Sequence, residues 1–476
     1  MPVTAAPRPK VLVIHALRPT SRQTTIDHLL SFREHLPHCD VQYLHFQQPI
    51  PRELSTVAPD LLVVNYDYLN YRFSPLWPYI RKRHRDIARR AGNVVAIAQD
   101  DFWANRLLDN WCMDWDVDRI LTPIDNDREI LYPRSSRTKE LRTGLTGYVR
   151  SGPVPVTVPL VERRIDLGQR VRDMPPHLGR LAQAKAKQAV AFADAAHNAG
   201  FVVDVSTRVE DSFIGPAWFD FLASCRFTVG MKGGASLHDP YGLIHARVQG
   251  YIARNPEASF DQIEAKCFRG KDMKHEFSAI SPRLFESALA GTCQILQRDD
   301  YLGVLQPWRD YLPLERDLSN LEEVLAAMRD LERCQEIVRN ARAALVDSGI
   351  FDYSRLVETA TEGLLGEGDT TDDGWSSLVE YLRRSASVFA DVGSELHDAA
   401  LHCINELVPN RGRKKNRRNL QVPRDAGSVA ETQVIDILER VGKQAWLDEV
   451  SSGMQTDSVA MRAPWIWRPV PEGDVQ

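Results

Sequence analysis

No apolar run in this chain approaches the ~20 residues of a membrane span. The first residues, Met1 to Arg8, are rich in proline and alanine and lack the apolar core of a secretion signal. Seven cysteines are scattered without CxxC spacing, and no His, Cys or Glu cluster has zinc-site spacing. An odd, dispersed set fits reduced thiols in a cytosolic protein. Charge of one sign is also scarce. The formal net charge is -5, so there is no global pull toward nucleic acid or an acidic membrane. A cytoplasmic protein is expected, or one peripheral to the inner face of the membrane. At 476 residues, 43% hydrophobic and 26% charged, the chain can bury sizeable cores in two or three domains.

The most informative stretch is Ser281-Pro-Arg-Leu-Phe-Glu-Ser-Ala-Leu-Ala-Gly-Thr-Cys-Gln-Ile-Leu296. It reads as a helix followed directly by a strand. Ser281 can cap the helix and Pro282 suits its first position, where no amide donor is needed. Leu284, Phe285, Ala288 and Leu289 form an apolar face. Gly291 can close the helix in the left-handed region. Arg283 and Glu286, three apart, share another face near the positive end. Glu286 sits too deep for a capping-box partner, which would be Leu284. A cation and a carboxylate beside a helix N-terminus suit a nucleotide, with phosphate at the tip and ribose hydroxyls on the carboxylate.

This segment resembles the donor-binding helix of GT-B glycosyltransferases, in which a Phe-Glu-x-x-Ala-x-Gly stretch supplies the glutamate that binds the ribose of a nucleotide sugar. Tyr301 to Leu314 and Asp317 to Leu325, a loop and then a helix opening on Ser-Asn-Leu-Glu-Glu, continue the likeness. It covers roughly residues 10 to 360 and is similar to bacterial proteins described as CgeB-like or as family 1-type glycosyltransferases. Many retaining members carry a second glutamate eight residues earlier. Here that position is Ser278, so contacts to the donor sugar are not carried over.

The strand pattern points to the same fold class. Lys10–His15, Leu61–Asn65, Asn93–Ala98, Arg119–Thr122 and Leu141–Tyr148 are apolar runs separated by helical stretches. Continuous apolar runs imply a parallel sheet covered on both faces. After a disordered N-terminus (1–8), residues 9–150 form one Rossmann-like domain for the acceptor, and the proline-rich 151–159 a hinge. Residues 160–365 form a second Rossmann-like domain for the nucleotide sugar. Its strands are expected at Arg164–Gly168, Val202–Ser206, Arg226–Gly230 and Thr292–Leu296. The expected class is α/β, two Rossmann-like domains facing a cleft, plus a C-terminal helical extension (366–476). In that extension Leu378, Leu382, Phe389, Val392 and Leu396 recur at helical spacing, as do Val434, Ile437, Leu438 and Val441. The extension reads as an appendage on the core, with a homodimerisation helix or an acceptor-docking module as alternatives. Its basic loop, 411–418, has six cations in eight residues and reads as a solvated loop, with contact to anionic lipid or a nucleic-acid backbone as alternatives. No aromatic residue interleaves it, which disfavours nucleic acid.

A GT-B transferase must hold a diphosphate, neutralise the growing leaving-group charge and, if inverting, deprotonate the acceptor. The resemblance implies a strand-end arginine followed by a lysine about a dozen residues on. Arg170 and Lys185 are the preferred pair, with Arg172 beside them. The loop Gly230 to Asp239 follows a strand and offers Lys232, Gly233, Gly234 and Ser236, with glycines that let backbone amides approach a ligand. Trp218 reads as a packing residue. For the base, Asp100 and Asp101 follow the strand Val94 to Ala98, at the end where open α/β sheets bind ligands. Adjacent side chains diverge, so one of the two faces the cleft, and Asp100 is favoured, with a helix N-cap as its competing role. His15, ending the first strand, is the second base candidate. Asp114-Trp-Asp-Val-Asp118 looks like the metal motif of the GT-A fold, but it precedes its strand and reads as a turn. The expectation is a metal-independent, inverting glycosyltransferase with a nucleotide-diphosphate sugar as co-substrate and no resident cofactor. A nucleotide-sugar epimerase and a non-catalytic nucleotide-sugar-binding protein are the alternatives.

Overall fold

A computed structural model describes residues 8–17, 22–46, 55–74, 77–150, 157–213, 216–366 and 374–390. Most of 1–8, most of the 151–159 connection and everything beyond 390, including the basic loop 411–418, lie outside the described residues.

Two parallel sheets organise the chain. The first holds β1 (Lys10–His15), β2 (Asp40–His45), β3 (Leu61–Val64), β4 (Asn93–Ile97), β5 (Arg119–Thr122) and β6 (Glu140–Thr143), in the order β2-β1-β3-β4-β5-β6. Every pairing is parallel. Val11 and Val13 pack into one core layer and Leu12 and Ile14 into the opposite one, all without exposure. That is why β1 reads as a continuous apolar run rather than an alternation. The second sheet holds β7 (Ile165–Arg170), β8 (Val203–Ser206), β9 (Cys225–Gly230), β12 (Cys293–Gln297) and β13 (Leu312–Leu314), in the order β13-β12-β9-β7-β8. Both sheets therefore start in the middle, step outward once and then wind the other way. Each has a crevice at that reversal, between β1 and β3 and between β7 and β9. The fold class is the expected one, two Rossmann-like domains with a cleft between them.

The stretch between β9 and β12 departs from a plain crossover. Gly233–Ala235 forms β10, which pairs antiparallel with β11, Phe277–Ala279. Gly234 adopts φ +147°, and a Cβ there would stand 1.9 Å from the Phe277 carbonyl oxygen. The glycine thus lets two backbones close up on each other. The segment between β10 and β11 leans on the first domain. Ala104 N–H donates to Asp239 O at 2.8 Å and Arg106 N–H to Pro240 O at 3.0 Å. The Thr146 hydroxyl donates to Ile280 O at 2.7 Å.

Past the second sheet the chain returns. The stretch up to residue 365, given to the second domain by its place in the sequence, sends the helix Tyr353–Thr361 back onto the first sheet. Arg119 holds its end, donating to Ala360 O at 3.1 Å and Glu362 O at 2.8 Å. The helix Trp375–Ala390 follows, with Trp375, Leu378 and Leu382 buried in the first domain's core. The described start of the expected extension thus packs as an appendage on the first domain. None of the described helices is long and apolar enough to cross a membrane.

Candidate functional site

The helix Arg283–Leu289 starts one or two residues later than its sequence predicts, with Pro282 at the cap. Leu284, Phe285 and Ala288 anchor it in the core, and Gly291 ends the turn at φ +64°. With the apolar face fixed, Arg283 points into a recess at the β7/β9 crevice, and Glu286 meets Trp218, which lines the same recess. This recess of about 460 Å³ opens to solvent and is lined by Gln169, Lys185, Trp218, Lys232, Ser281 and Arg283, among others. The Trp218 indole N–H donates to Glu286 Oε2 at 2.7 Å. The Arg283 guanidinium lies 5.3 Å from the centre of the Trp218 ring and reaches Gln169 Oε1 at 3.4 Å. Trp218 therefore fixes both the carboxylate and the cation that the sequence singled out.

Charge is concentrated here. Burial raises the Glu286 carboxyl, opposed by the Trp218 hydrogen bond and by Arg283, Arg22 and Lys185. Burial lowers Arg283 to about 10; Glu286 opposes this, and Arg22 and Arg172 add to it. Lys185, on the second turn of the helix Gly179–Asn198, is brought down to about 7 by burial, Arg283 and Arg22. Arg22 comes from the other domain, immediately before the helix Gln23–His35. Solvent reaches it, yet the surrounding protein lowers its pKa, as does Arg172. Arg283, Arg22 and Lys185 thus all bear on the Glu286 carboxylate, and Arg172 bears on Arg22 and Arg283. On the recess wall beyond β9, Lys232 pairs with Asp299 at 3.0 Å.

Other expected ligands fall elsewhere. Arg170 turns to the β8 side, where it pairs with Asp204 at 2.8 Å, donates to Asp211 O at 2.9 Å and lies over the Phe221 ring at 4.3 Å. Its strand-end position matches the expected pattern, but its alternation along β7 directs it away from the recess that Gln169 lines. Ser236 is fully buried and caps a helix. Its hydroxyl accepts from Leu181 N–H at 3.0 Å and donates to Asp272 at 2.7 Å, and Asp272 also accepts from Arg180 N–H at 2.9 Å. The N-terminus of the helix Gly179–Asn198 is thereby already occupied. Gly233 and Gly234 belong to β10, so they serve the hairpin rather than a free loop. Ser281 lines the recess without capping the helix.

On the first domain, Asp100 and Asp101 diverge. Asp101 is fully buried and accepts from the hydroxyls of Thr122 and of Tyr132, the latter at 2.6 Å. Asp100 is exposed, with a left-handed φ of +53°. It caps no helix, because the next one, Asn105–Asp114, begins after Ala104. The turn that presents it is knit by Arg72, which is fully buried. Arg72 donates to Gln99 O at 2.8 Å, Asp100 O at 2.9 Å, Leu69 O at 3.1 Å and Trp103 O at 3.4 Å. The surrounding protein raises the Asp100 carboxyl, and Arg72 opposes it. Asp100 and Arg22 both bear on the Tyr66 hydroxyl, which puts them in one electrostatic neighbourhood. His15 is held differently. Its Nδ1 accepts from Leu17 N–H at 3.2 Å, and burial next to His45 lowers it to about 3. Its imidazole is neutral at any working pH.

The three aspartates of the GT-A-like motif are separately engaged. Asp114 pairs with Arg85, Asp116 with Lys139, and Asp118 accepts from Val94 N–H at 2.7 Å. Among the described residues no group of three or more His, Cys, Asp or Glu side chains could hold a metal ion.

No protein-family model matches the chain, and no curated protein does. Solved structures do align with it. Anabaena HepE in complex with UDP and glucose is 12% identical with a TM-score of 0.39, over 75% of this chain and 99% of that one. An alpha1,3-fucosyltransferase is 9% identical with a TM-score of 0.38, over 77% and 93%. TarM is 8% identical with a TM-score of 0.36, over 63% and 53%. At scores this low the likenesses assign neither family, donor nor acceptor.

Proposed function

We propose that the protein is a glycosyltransferase that moves a sugar from a nucleotide-diphosphate donor to an acceptor hydroxyl, without a metal and with inversion. The observation that supports this most is the gathering of Arg283, Lys185 and Arg22 around Glu286 at the β7/β9 crevice, with Arg172 bearing on Arg22 and Arg283. Arg283 and Lys185 line the recess, and cations so placed suit a diphosphate. Glu286, held by the Trp218 N–H, accepts from ribose hydroxyls. As the bond between the sugar's anomeric carbon and the phosphate oxygen breaks, negative charge grows on the diphosphate, where preorganised cations lower the barrier. The bond to the acceptor oxygen forms on the opposite face, and Asp100 takes the acceptor proton. Arg22 and Asp100 both belong to the first domain, so the reaction needs both halves of the cleft. The metal motif plays no part in this scheme, because the cations carry its load.

The test is a thermal-shift panel of UDP, GDP, CDP, ADP and dTDP, followed by product analysis of the stabilising nucleotide's sugar with and without acceptor hydroxyl compounds. A ligand at one hundred times its dissociation constant adds about 2.7 kcal/mol of stability. The proposal expects one base to stabilise and the sugar to move only when an acceptor is present. Sugar rearranged without an acceptor would make the protein an epimerase. No stabilisation by any of the five would refute nucleotide binding.

A further inference from the structure

The recess adjoins a smaller chamber. Gln169, Lys185, Val229 and Gly230 line both spaces, so they meet at the ends of β7 and β9. The chamber measures about 200 Å³ with its open mouth, with room inside for about one water-sized group. The helix Gly179–Asn198 gives it Lys185, Gln188 and Ala189, which lie three and four residues apart on one face. Ala189 and Phe192 go on into the core of the second domain. Gln188 is 8% exposed and stands among them. Two glutamines thus line the chamber, and they are held differently. Gln169 is fully used: its Nε2 donates to Val229 O, and its Oε1 accepts from Arg170 N–H at 2.8 Å and from Arg283 at 3.4 Å. Gln188 Nε2 is buried and has no hydrogen-bond partner among the described residues. A buried amide donor without an acceptor destabilises the fold that holds it, and an apolar side chain of the same length would not.

We propose that Gln188 is a ligand residue of the donor site, donating its side-chain amide to a phosphate oxygen that enters the chamber beside Lys185. This rests on the recess being the nucleotide-diphosphate site. Val171, Ala189 and Val229 make much of the chamber wall apolar, so an oxygen that enters meets Gln188 and Lys185 as its side-chain donors. The space is too small for a ribose or a base, and it suits a single oxygen projecting from a larger group. An ammonium at the same wall favours an anionic oxygen over a hydroxyl. The orphaned amide is then a feature of the empty protein alone, and the ligand completes its hydrogen bonding.

The measurement is calorimetric titration of the full chain with inorganic pyrophosphate and with UDP, GDP, CDP, ADP and dTDP, alongside thermal unfolding of the ligand-free protein. Gln188→Met keeps the length of the side chain and removes the donor. Its unfolding midpoint should stay level or rise, because an orphaned polar group is gone. Its affinity for pyrophosphate and for the nucleotide that binds should both fall about 10- to 150-fold, the worth of a hydrogen bond to a charged group. Gln188→Glu keeps the shape and sets a carboxylate against the phosphate, so it should bind both ligands more weakly still. A lower midpoint in Gln188→Met, or unchanged affinity in either variant, would make Gln188 a packing residue and overturn the proposal while the nucleotide site stands. A loss confined to one of the two ligands would take Gln188 off the phosphate and overturn it as well. Absence of pyrophosphate binding by the wild type would remove the phosphate subsite. Absence of binding by the five nucleotides too would overturn the recess as the nucleotide site.

Discussion

Replacing Glu286 by glutamine keeps the shape of the side chain and removes one negative charge. In the structure that carboxylate accepts from the Trp218 indole at 2.7 Å and bears on Arg283, Arg22 and Lys185. Two opposite effects follow. Hydrogen bonds to a charged group contribute about 1.5–3 kcal/mol, so losing the ribose acceptor should weaken a nucleoside diphosphate about 10- to 150-fold. A bare diphosphate has no ribose to lose. It meets a more positive recess, and its affinity should hold or rise. The assay is therefore a comparison of dissociation constants for the stabilising nucleoside diphosphate and for inorganic pyrophosphate, in wild type, Glu286→Gln and Glu286→Ala. Thermal unfolding of each variant checks that the fold survives, which the partly exposed position favours. Equal losses for the two ligands would mean that Glu286 shapes the site as a whole. No loss for the nucleotide in a folded variant would remove the ribose assignment.

Asp100→Asn should lower turnover about 10²- to 10⁴-fold while nucleotide affinity stays level; a changed affinity would place Asp100 on the donor side. Because its surroundings raise the Asp100 carboxyl, its basic form disappears as pH falls, and the acid limb of wild-type turnover should lie above the ordinary carboxylate range. His15→Ala should leave that limb where it is, and a shift would reopen the choice of base. Turnover should persist in EDTA; a loss restored by Mn2+ would promote the Asp114 to Asp118 cluster. Gly234→Ala should destabilise the fold by several kcal/mol, since its Cβ would meet the Phe277 carbonyl at 1.9 Å, and an unchanged midpoint of thermal unfolding would show that the hairpin gives way.

Periodicity and punctuation carried most of the fold. β1 and β5 fall on the residues expected, and the helix before β12 is one or two residues out. β2 escapes notice because its mixed burial, with Gln42 and Tyr43 half-buried, gives neither an apolar run nor an alternation. The hairpin β10–β11 escapes because its strands lie more than forty residues apart and a glycine-rich run looks like a ligand loop. In the recess, Arg283 was legible from helical spacing, and Lys185 only through the resemblance, as the lysine that follows a strand-end arginine. Arg172 was legible only as a neighbour of Arg170, since which strand-end arginine turns inward depends on the register of β7. Trp218 and Arg22 were not legible as site residues. The first looks like packing until the Glu286 carboxylate is beside it, and the second sits in another domain. Its one signal is position, just before the helix that follows the first strand.

The return of the chain to the first sheet bears on how the protein is made. Tyr353, Leu356, Val357 and Ala360 close one face of that sheet, and Trp375, Leu378 and Leu382 join the core on the other. A ribosome that has finished the first 150 residues has not yet made either set. The N-terminal half therefore emerges with apolar patches on both sides and waits through some two hundred further residues for its cover, while the second sheet is already complete. Domains that finish out of order are exposed to misassembly and to chaperone capture during synthesis. Any attempt to express the two halves separately should cut after the second sheet and graft the last helices onto the first.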